Sequence, residues 1–386
     1  MDLASNRVSS QMINYPLLAD VLAHSVDLAL KLGTQTQYPF VLHDRNSYIQ
    51  RTPRYKIVKK FLHKFLYMLL RKQLHLFREK LDFHSKILVL YTGKDSFGDA
   101  NMELSGRALL KGKYLNIDLL TLPKLHPQFK EDDIFKNVYT RIEDIDVRSY
   151  DAVLLAEFNH KSLRLKNKYF AQTPFACLFG YFDGPARNQS CFSHAAFNSI
   201  FSLEFDAVTL LNVSKPYLHC SKETINSIET IVPRQAFLAL SIGGVDPYRT
   251  YKYWDKLLHL IDQQSDKIKI VNILLVGSDN GRSTAKKLLE EKFDHLKIVS
   301  QVAELNILQT RALIGKADLF VGCDGGLMHV AHSTSTSTVA LFSEAEPYEY
   351  WTTAACRCHA IQSSGNVSKI PPEKILSSIH TALDKV

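Results

Sequence analysis

The sequence predicts an α/β protein of two Rossmann-like domains facing across a cleft, preceded by a basic, largely helical N-terminal segment. Three observations predict it. Two series of continuous apolar strands alternate with helical patterns, as in parallel sheets covered on both faces. A polar stretch around Ser221–Arg234 separates the series. The length, 386 residues, suits two domains and an attachment. The expected organisation is an extension over 1–85, a first domain over 86–225, a second over 235–370, and a C-terminal helix within 371–386.

In the first series Lys86–Tyr91, Tyr114–Leu120, Ala152–Ala156, Phe175–Phe179 and Ala207–Leu211 read as strands, with a helix from the first turn to about Lys111. In the second the strands are Phe237–Ile242, Val271–Val276, Lys297–Ser300, Leu319–Gly322 and Val339–Phe342. Helices are expected near Tyr251–Asp262, Ser283–Lys292 and Glu304–Ile314. Ligands of such sheets bind at the carboxyl ends of the strands.

Charge divides unevenly. Residues 1–90 hold 14 Lys/Arg and 6 Asp/Glu, whereas the remaining 296 hold 33 of each. Ten of the basic residues lie in 51–80, against the single Glu79. A nucleic-acid binder would spread its basic face over the main body, so no nucleic-acid partner is expected. Val58, Phe61, Leu62, Phe65 and Leu69 recur at helical spacing, with the stripe continuing to Leu81 and Lys59, Lys60, His63, Lys64 and Arg71 opposite. Such a helix either packs on the body with a solvated basic face or attaches the protein to an anionic membrane surface.

The longest strongly apolar run, Phe65–Leu70, is far short of a membrane span. No secretory signal is expected, because Met1-Asp2-Leu3 lacks a basic start and His24 and Asp27 interrupt Val21–Leu32. Six cysteines in no framework suit a reducing, cytosolic compartment.

The strongest local signal is the strand Leu319–Gly322, then Asp324-Gly325-Gly326-Leu327-Met328-His329 at a helix start. Backbone at such a turn can approach an anion closely, with Asp324 capping the helix and His329 donating to a phosphate or ribose oxygen. An ordinary capped turn with a packed histidine would read the same. Upstream, Ser241-Ile242-Gly243-Gly244 ends a strand and Lys252-Tyr253-Trp254 opens a helix; downstream lies Glu346-Pro347-Tyr348-Glu349-Tyr350-Trp351. In the first domain Asp95-Ser96-Phe97-Gly98-Asp99 follows the first strand, Lys161-Ser162 follows Tyr150–Glu157, and Gly180 precedes Ala186-Arg187-Asn188.

In this order, over roughly 86–355, the motifs resemble the ADP-heptose:lipopolysaccharide heptosyltransferases of glycosyltransferase family 9. The resemblance implies a GT-B fold and an inverting, metal-independent transfer of heptose from ADP-heptose to the inner core of lipopolysaccharide, in the Kdo-lipid A region, with no cofactor. It assigns Asp99 as catalytic base, with Asp95 the competing carboxylate. It assigns Lys252, Asp324, Gly325, Gly326, Leu327, Met328 and His329 to the donor. Gly243 and Gly244 stand where a threonine pair is usual, and Asp279 stands for a glutamate near the ribose. Gly325 replaces the usual Ser or Thr. Lys161 and Arg187 are the candidate acceptor contacts.

The partners implied are a nucleotide sugar and a lipid-linked anionic glycan at the cytoplasmic face of the inner membrane, with the protein cytoplasmic and peripheral. Another nucleotide sugar or glycan acceptor, or a non-catalytic nucleotide-binding scaffold, remains an alternative. A dinucleotide oxidoreductase is disfavoured, since no GxGxxG follows either first strand.

Overall fold

A computed structural model describes residues 66–384 together with Tyr55, Lys59 and His63, except 83, 114, 115, 158 and 179–187. The first sheet comprises β1 (Lys86–Tyr91), β2 (Asn116–Thr121), β3 (Val138–Tyr139), β4 (Ala152–Leu155) and β5 (Phe175–Cys177). Its strands are parallel and ordered β3-β2-β1-β4-β5. The second comprises β6 (Phe237–Ser241), β7 (Asn272–Val276), β8 (Lys297–Ser300), β9 (Leu319–Cys323), β10 (Ser337–Phe342) and β11 (Cys358–Gln362). It too is parallel, in the order β11-β10-β9-β6-β7-β8.

Both faces of each sheet are buried, which is why the central strands carry unbroken apolar runs. In β1, Ile87, Val89 and Tyr91 face α1 (Phe97–Glu103) and α3 (Gln189–Ile200), meeting Ala100, Phe192 and Phe197. Leu88 and Leu90 point the other way, to Leu163 of α2 (His160–Tyr169) and to Phe170. In the second sheet Leu238, Leu240, Val321 and Leu341 pack under α4 (Trp254–Gln263) and α8 (Pro372–Leu383). The opposite face, with Ala239, Leu274, Phe320 and Ala340, packs on α6 (Ile307–Ile314) and α7 (Gly326–His332); α5 (Arg282–Glu290) runs beside β8.

Several elements differ from the sequence reading. Ala207–Val213 is a helix, not a strand: Asp206 caps it, accepting from the Thr209 amide at 2.7 Å. Its apolar run is amphipathic, with Leu210 buried and Val208 exposed. The helix expected to reach Lys111 ends at Glu103 and tightens into a 3₁₀ segment over Ser105–Leu110. The helix expected from Glu304 starts at Ile307, where Asn306 and Gln309 form a capping box. The strands β3 and β11 carry no apolar run, being a two-residue edge and a mostly half-buried edge.

The helical stripe read through Leu81 stops earlier. Residues 66–70 are helical, as are Tyr55, Lys59 and His63, and a separate 3₁₀ turn follows at Leu74–Leu76. Apart from Tyr55, Lys59 and His63, residues 1–65 lie outside the described residues. Met68 is buried against the first sheet, while Leu66, Leu69 and Leu70 stay exposed. Gln73 ties the segment down: it donates to Ala171 O at 3.2 Å and accepts from the buried Lys166 ammonium at 2.5 Å. Burial moves the Lys166 ammonium down to about 7.

The halves meet where α1 faces α7. Phe97 packs against the core of the first sheet and against one core of the second. Its ring lies on Gly326, where an added Cβ would stand 2.3 Å from Phe97 Cζ. Around this contact, Asn188 Nδ2 donates to the Thr352 carbonyl at 2.8 Å and Lys215 Nζ to the Thr334 carbonyl at 2.8 Å. Gly326→Ala should therefore displace the ring and destabilise the fold by about 1–3 kcal/mol, read as a lower urea midpoint at unchanged m-value.

Candidate active site

The turn after β1 carries the first half of the site. Ser96 caps α1, its hydroxyl accepting from the Asp99 amide at 3.4 Å, and Asp99 is half-buried in the first helical turn. Gly98 makes this turn fit the opposite half: an added Cβ there would lie 3.1 Å from His329 Cδ2 and 3.2 Å from Gly326 Cα. Asp95, the competing carboxylate, is exposed and pairs with Lys124 at 3.2 Å.

The second half is the turn from β9 to α7. Asp324 is buried and its amide donates to Leu341 O at 2.8 Å. It does not cap α7 as expected from the sequence; no side chain bonds the Gly325 cap position. Instead Asp324 Oδ2 accepts from Arg249 Nη1 at 3.2 Å, while Arg249 Nη2 also binds Asp246 at 2.5 Å. Burial raises the Asp324 carboxyl to about 6 despite the arginine, with added repulsion from Glu346 and Asp99. Asp99, from the other domain, thus acts electrostatically on this turn.

His329 is buried, 5.9 Å ring to ring from Trp351, and its Nδ1 has no hydrogen-bond partner. Burial, and then Arg249, lower it to about 3, so the ring is neutral at pH 7 and offers one N–H. Trp351 Nε1 donates to Glu346 at 3.2 Å.

The other expected donor residues spread around this turn. Gly325 borders open space, and Leu327 is half-buried beside the core. Met328 is fully buried there, so its side chain is a packing residue and only its backbone can face a ligand. Gly243 has φ +97°, and an added Cβ would lie 2.8 Å from Asn280 Oδ1, so the β6 and β7 loops press together there. At Gly244 the same atom would meet Thr250 Oγ1 at 2.3 Å. Lys252 is exposed, its amide donating to Ser368 at 3.1 Å. Asp279 is exposed and paired with Arg282 at 2.8 Å.

On the acceptor side Lys161 is exposed in the first turn of α2, beside His160, whose ring lies 5.1 Å from that of His63 in the N-terminal segment. Arg187 lies outside the described residues, as do Gly180 and Ala186.

The sequence reading missed Arg249 as the cation on Asp324 and Phe97 as the bridge between halves. Arg249 had no spacing to mark it; Phe97 lay inside the S-x-G-D turn as the unspecified position. Among the described residues, no group of three or more His, Cys, Asp or Glu is arranged to hold a metal. Nor is any described helix long and apolar enough to cross a membrane.

Residues 246–375 match the model of glycosyltransferase family 9 (heptosyltransferase), which bears out the resemblance drawn from the motifs. No curated protein matches the chain. Among solved structures, a family 9 glycosyl transferase from Veillonella parvula is 14% identical, with 80% of this chain and 100% of that one covered at a TM-score of 0.63. The E. coli ADP-heptose lps heptosyltransferase II is 17% identical, with 78% and 99% covered at 0.60. The E. coli heptosyltransferase WaaC, solved with ADP, is 15% identical, with 79% and 99% covered at 0.54. The fold is therefore that of the GT-B heptosyltransferases, spanning both sheets.

The buried histidines set an acid limit. His332, like His329, is lowered to about 3 from an ordinary 6.5, by burial first and His329 and Lys215 next. The unfolded chain takes up these protons near 6.5 and the folded chain only near 3, so this stability is present above 6.5 and is lost as pH falls toward 3. Asp324 acts in the opposite sense: raised from 3.8 to about 6, its share is present below 3.8 and lost as pH rises through 6. Denaturant titrations from pH 7 to 4 should show falling stability, with a shallower fall in His332→Leu.

Proposed function

We propose that the protein is an inverting glycosyltransferase that moves a sugar from a nucleotide diphosphate to a glycan hydroxyl, with Asp99 as general base. One observation carries this reading: the Asp99 turn of the first domain is seated against the Asp324–His329 turn of the family 9 segment, with Gly98 over His329. Transfer requires a base at the acceptor, compensation of the departing diphosphate and alignment of the two.

In this reading Asp99 takes the acceptor's proton as its oxygen attacks the anomeric carbon, and the bond to the diphosphate breaks on the opposite side. Inversion follows from the single displacement. Arg249, loosened from Asp324, and Lys252 compensate the leaving charge, and neutral His329 donates its N–H to a phosphate or ribose oxygen. The finer assignment is ADP-heptose as donor and the inner core of lipopolysaccharide as acceptor, without a metal. The names of two heptosyltransferase neighbours, one an ADP-heptose lps heptosyltransferase and one solved with ADP, support the donor and the lipopolysaccharide acceptor of this assignment.

Asp99→Asn tests the base. Transfer from ADP-heptose, compared with UDP- and GDP-sugars, should fall by about 10²–10⁴-fold while ADP affinity is kept. Undiminished transfer would remove the assignment, and ADP binding by the unaltered protein without turnover on any donor would favour the scaffold alternative. Arg249→Ala should lower kcat and kcat/KM for the donor together, read by steady-state kinetics at saturating acceptor.

We place the protein at the inner-membrane surface, where a lipid-linked acceptor lies. Exposed Tyr55, Leu66, Leu69 and Leu70 beside the basic run support this. Sedimentation with anionic vesicles should carry the full chain down and leave a variant lacking residues 1–84 in solution; equal binding by both would remove the idea.

A further inference from the structure

One turn beyond Asp99 on the same helix, α1 carries a carboxylate that the reading above leaves unused. Glu103 is 2% exposed, whereas Asp99 reaches the gap between the halves. Both Glu103 oxygens are committed: Oε2 accepts from Tyr91 Oη at 2.8 Å and Oε1 is paired with the Lys94 ammonium. Lys94 comes from the β1–α1 turn, five residues before Asp99, and its ammonium is also 3.7 Å from Glu157 Oε1. Glu157 is fixed in turn by Asn159 Nδ2 and lies over Gly93, where an added Cβ would stand 2.0 Å from Glu157 Oε2. A short turn and a bare glycine thus hold Lys94 in a fork of two carboxylates. No ion pair joins Lys94 to Asp99 among the described residues, although Asp99's charge acts on Lys94, Glu103 and Tyr91.

We infer that Glu103 is a positioning residue for the transfer: by pairing with the Lys94 ammonium it keeps that cation from pairing with Asp99. This rests on Asp99 acting as the base. Lysine is a flexible point charge on a four-carbon stem, and an opposite charge within about 4–6 Å lowers a carboxyl by about 1–3 units. A Lys94 free to swing onto Asp99 would weaken it as a proton acceptor. Burial pushes the Glu103 carboxyl up past the opposing pull of Lys94. Replacing a buried carboxylate together with its cation by apolar groups of similar volume is often neutral or stabilising, so stability alone does not account for keeping the Glu103–Lys94 pair. The groups facing Glu103 are Tyr91 from β1, Lys94 from the turn, Asp99 on its own helix and Glu157 beyond β4. The packed helix α3 presents Ser193, which donates to the Glu103 carbonyl at 2.8 Å, and a buried His194, lowered by burial to about 4.

The test is a variant cycle on the full chain with two readouts. Glu103→Gln keeps an acceptor for Tyr91 and removes the charge. Titration of the Asp99 carboxyl, followed by ¹³C NMR with aspartate labelling and assigned through Asp99→Asn, should shift down by about one unit relative to the unaltered protein. Adding Lys94→Met to Glu103→Gln should restore it. In parallel kcat should fall about tenfold in Glu103→Gln with KM within about twofold, and recover in the double variant. Lys94→Met alone, which serves if Glu103→Gln fails to fold, should be no slower than the unaltered protein.

The inference is overturned if the Asp99 titration does not move in Glu103→Gln, if the double variant stays shifted, or if Lys94→Met alone abolishes transfer. The titration is independent of turnover. Full activity in Asp99→Asn would sink the base assignment instead, and the two failures are told apart.

Discussion

Everything chemical in this molecule depends on one contact, the ring of Phe97 lying on a glycine of the other half. Gly326 has no Cβ to keep the ring away, and Gly98 has none to hold α1 off His329. Phe97 is therefore shared by a core of each sheet. Its position one residue before Gly98 and two before Asp99 fixes where that carboxylate sits. Full burial of an aromatic side chain is worth on the order of 1.5–3 kcal/mol, and the partly buried Phe97 contributes a share of this to the approach of two turns far apart in the sequence. Asn188 and Lys215 add polar ties to carbonyls of the second domain.

The second half of the site is governed by burial. Asp324 and His329 lie in surroundings that disfavour charge on either, and Arg249 is the cation that makes the carboxylate tolerable. Arg249 is shared between Asp324 and Asp246, so its guanidinium is held by two carboxylates at once. The histidine is held neutral, one ring nitrogen is without a hydrogen-bond partner, and its ring lies beside that of Trp351.

Much of the fold was legible because parallel sheets write themselves as apolar runs: β1, β6, β7, β9 and β10 lie where the pattern places them. What failed was local. Ala207–Val213 has strand-like composition, but Asp206 supplies a cap and half the run faces water. β11 is an edge strand with no apolar run, so only pairing with β10 reveals it. In the site, glycine–acid turns marked Asp99 and Asp324 because backbone geometry restricts residue type there. Arg249 and Glu103 were invisible for the converse reason: Arg249 pairs with Asp324, 75 residues on, and Glu103 with Lys94 in the turn before its helix, and no spacing announces either partner.

The shared ring has a consequence for exchanging parts. A chimera built by joining the first sheet of this chain to the second sheet of a relative would have to keep a glycine beneath the Phe97 ring. The half-molecules are modular in topology but matched at two bare positions, Gly98 and Gly326, and any recombination that respects the linker alone would miss that seam.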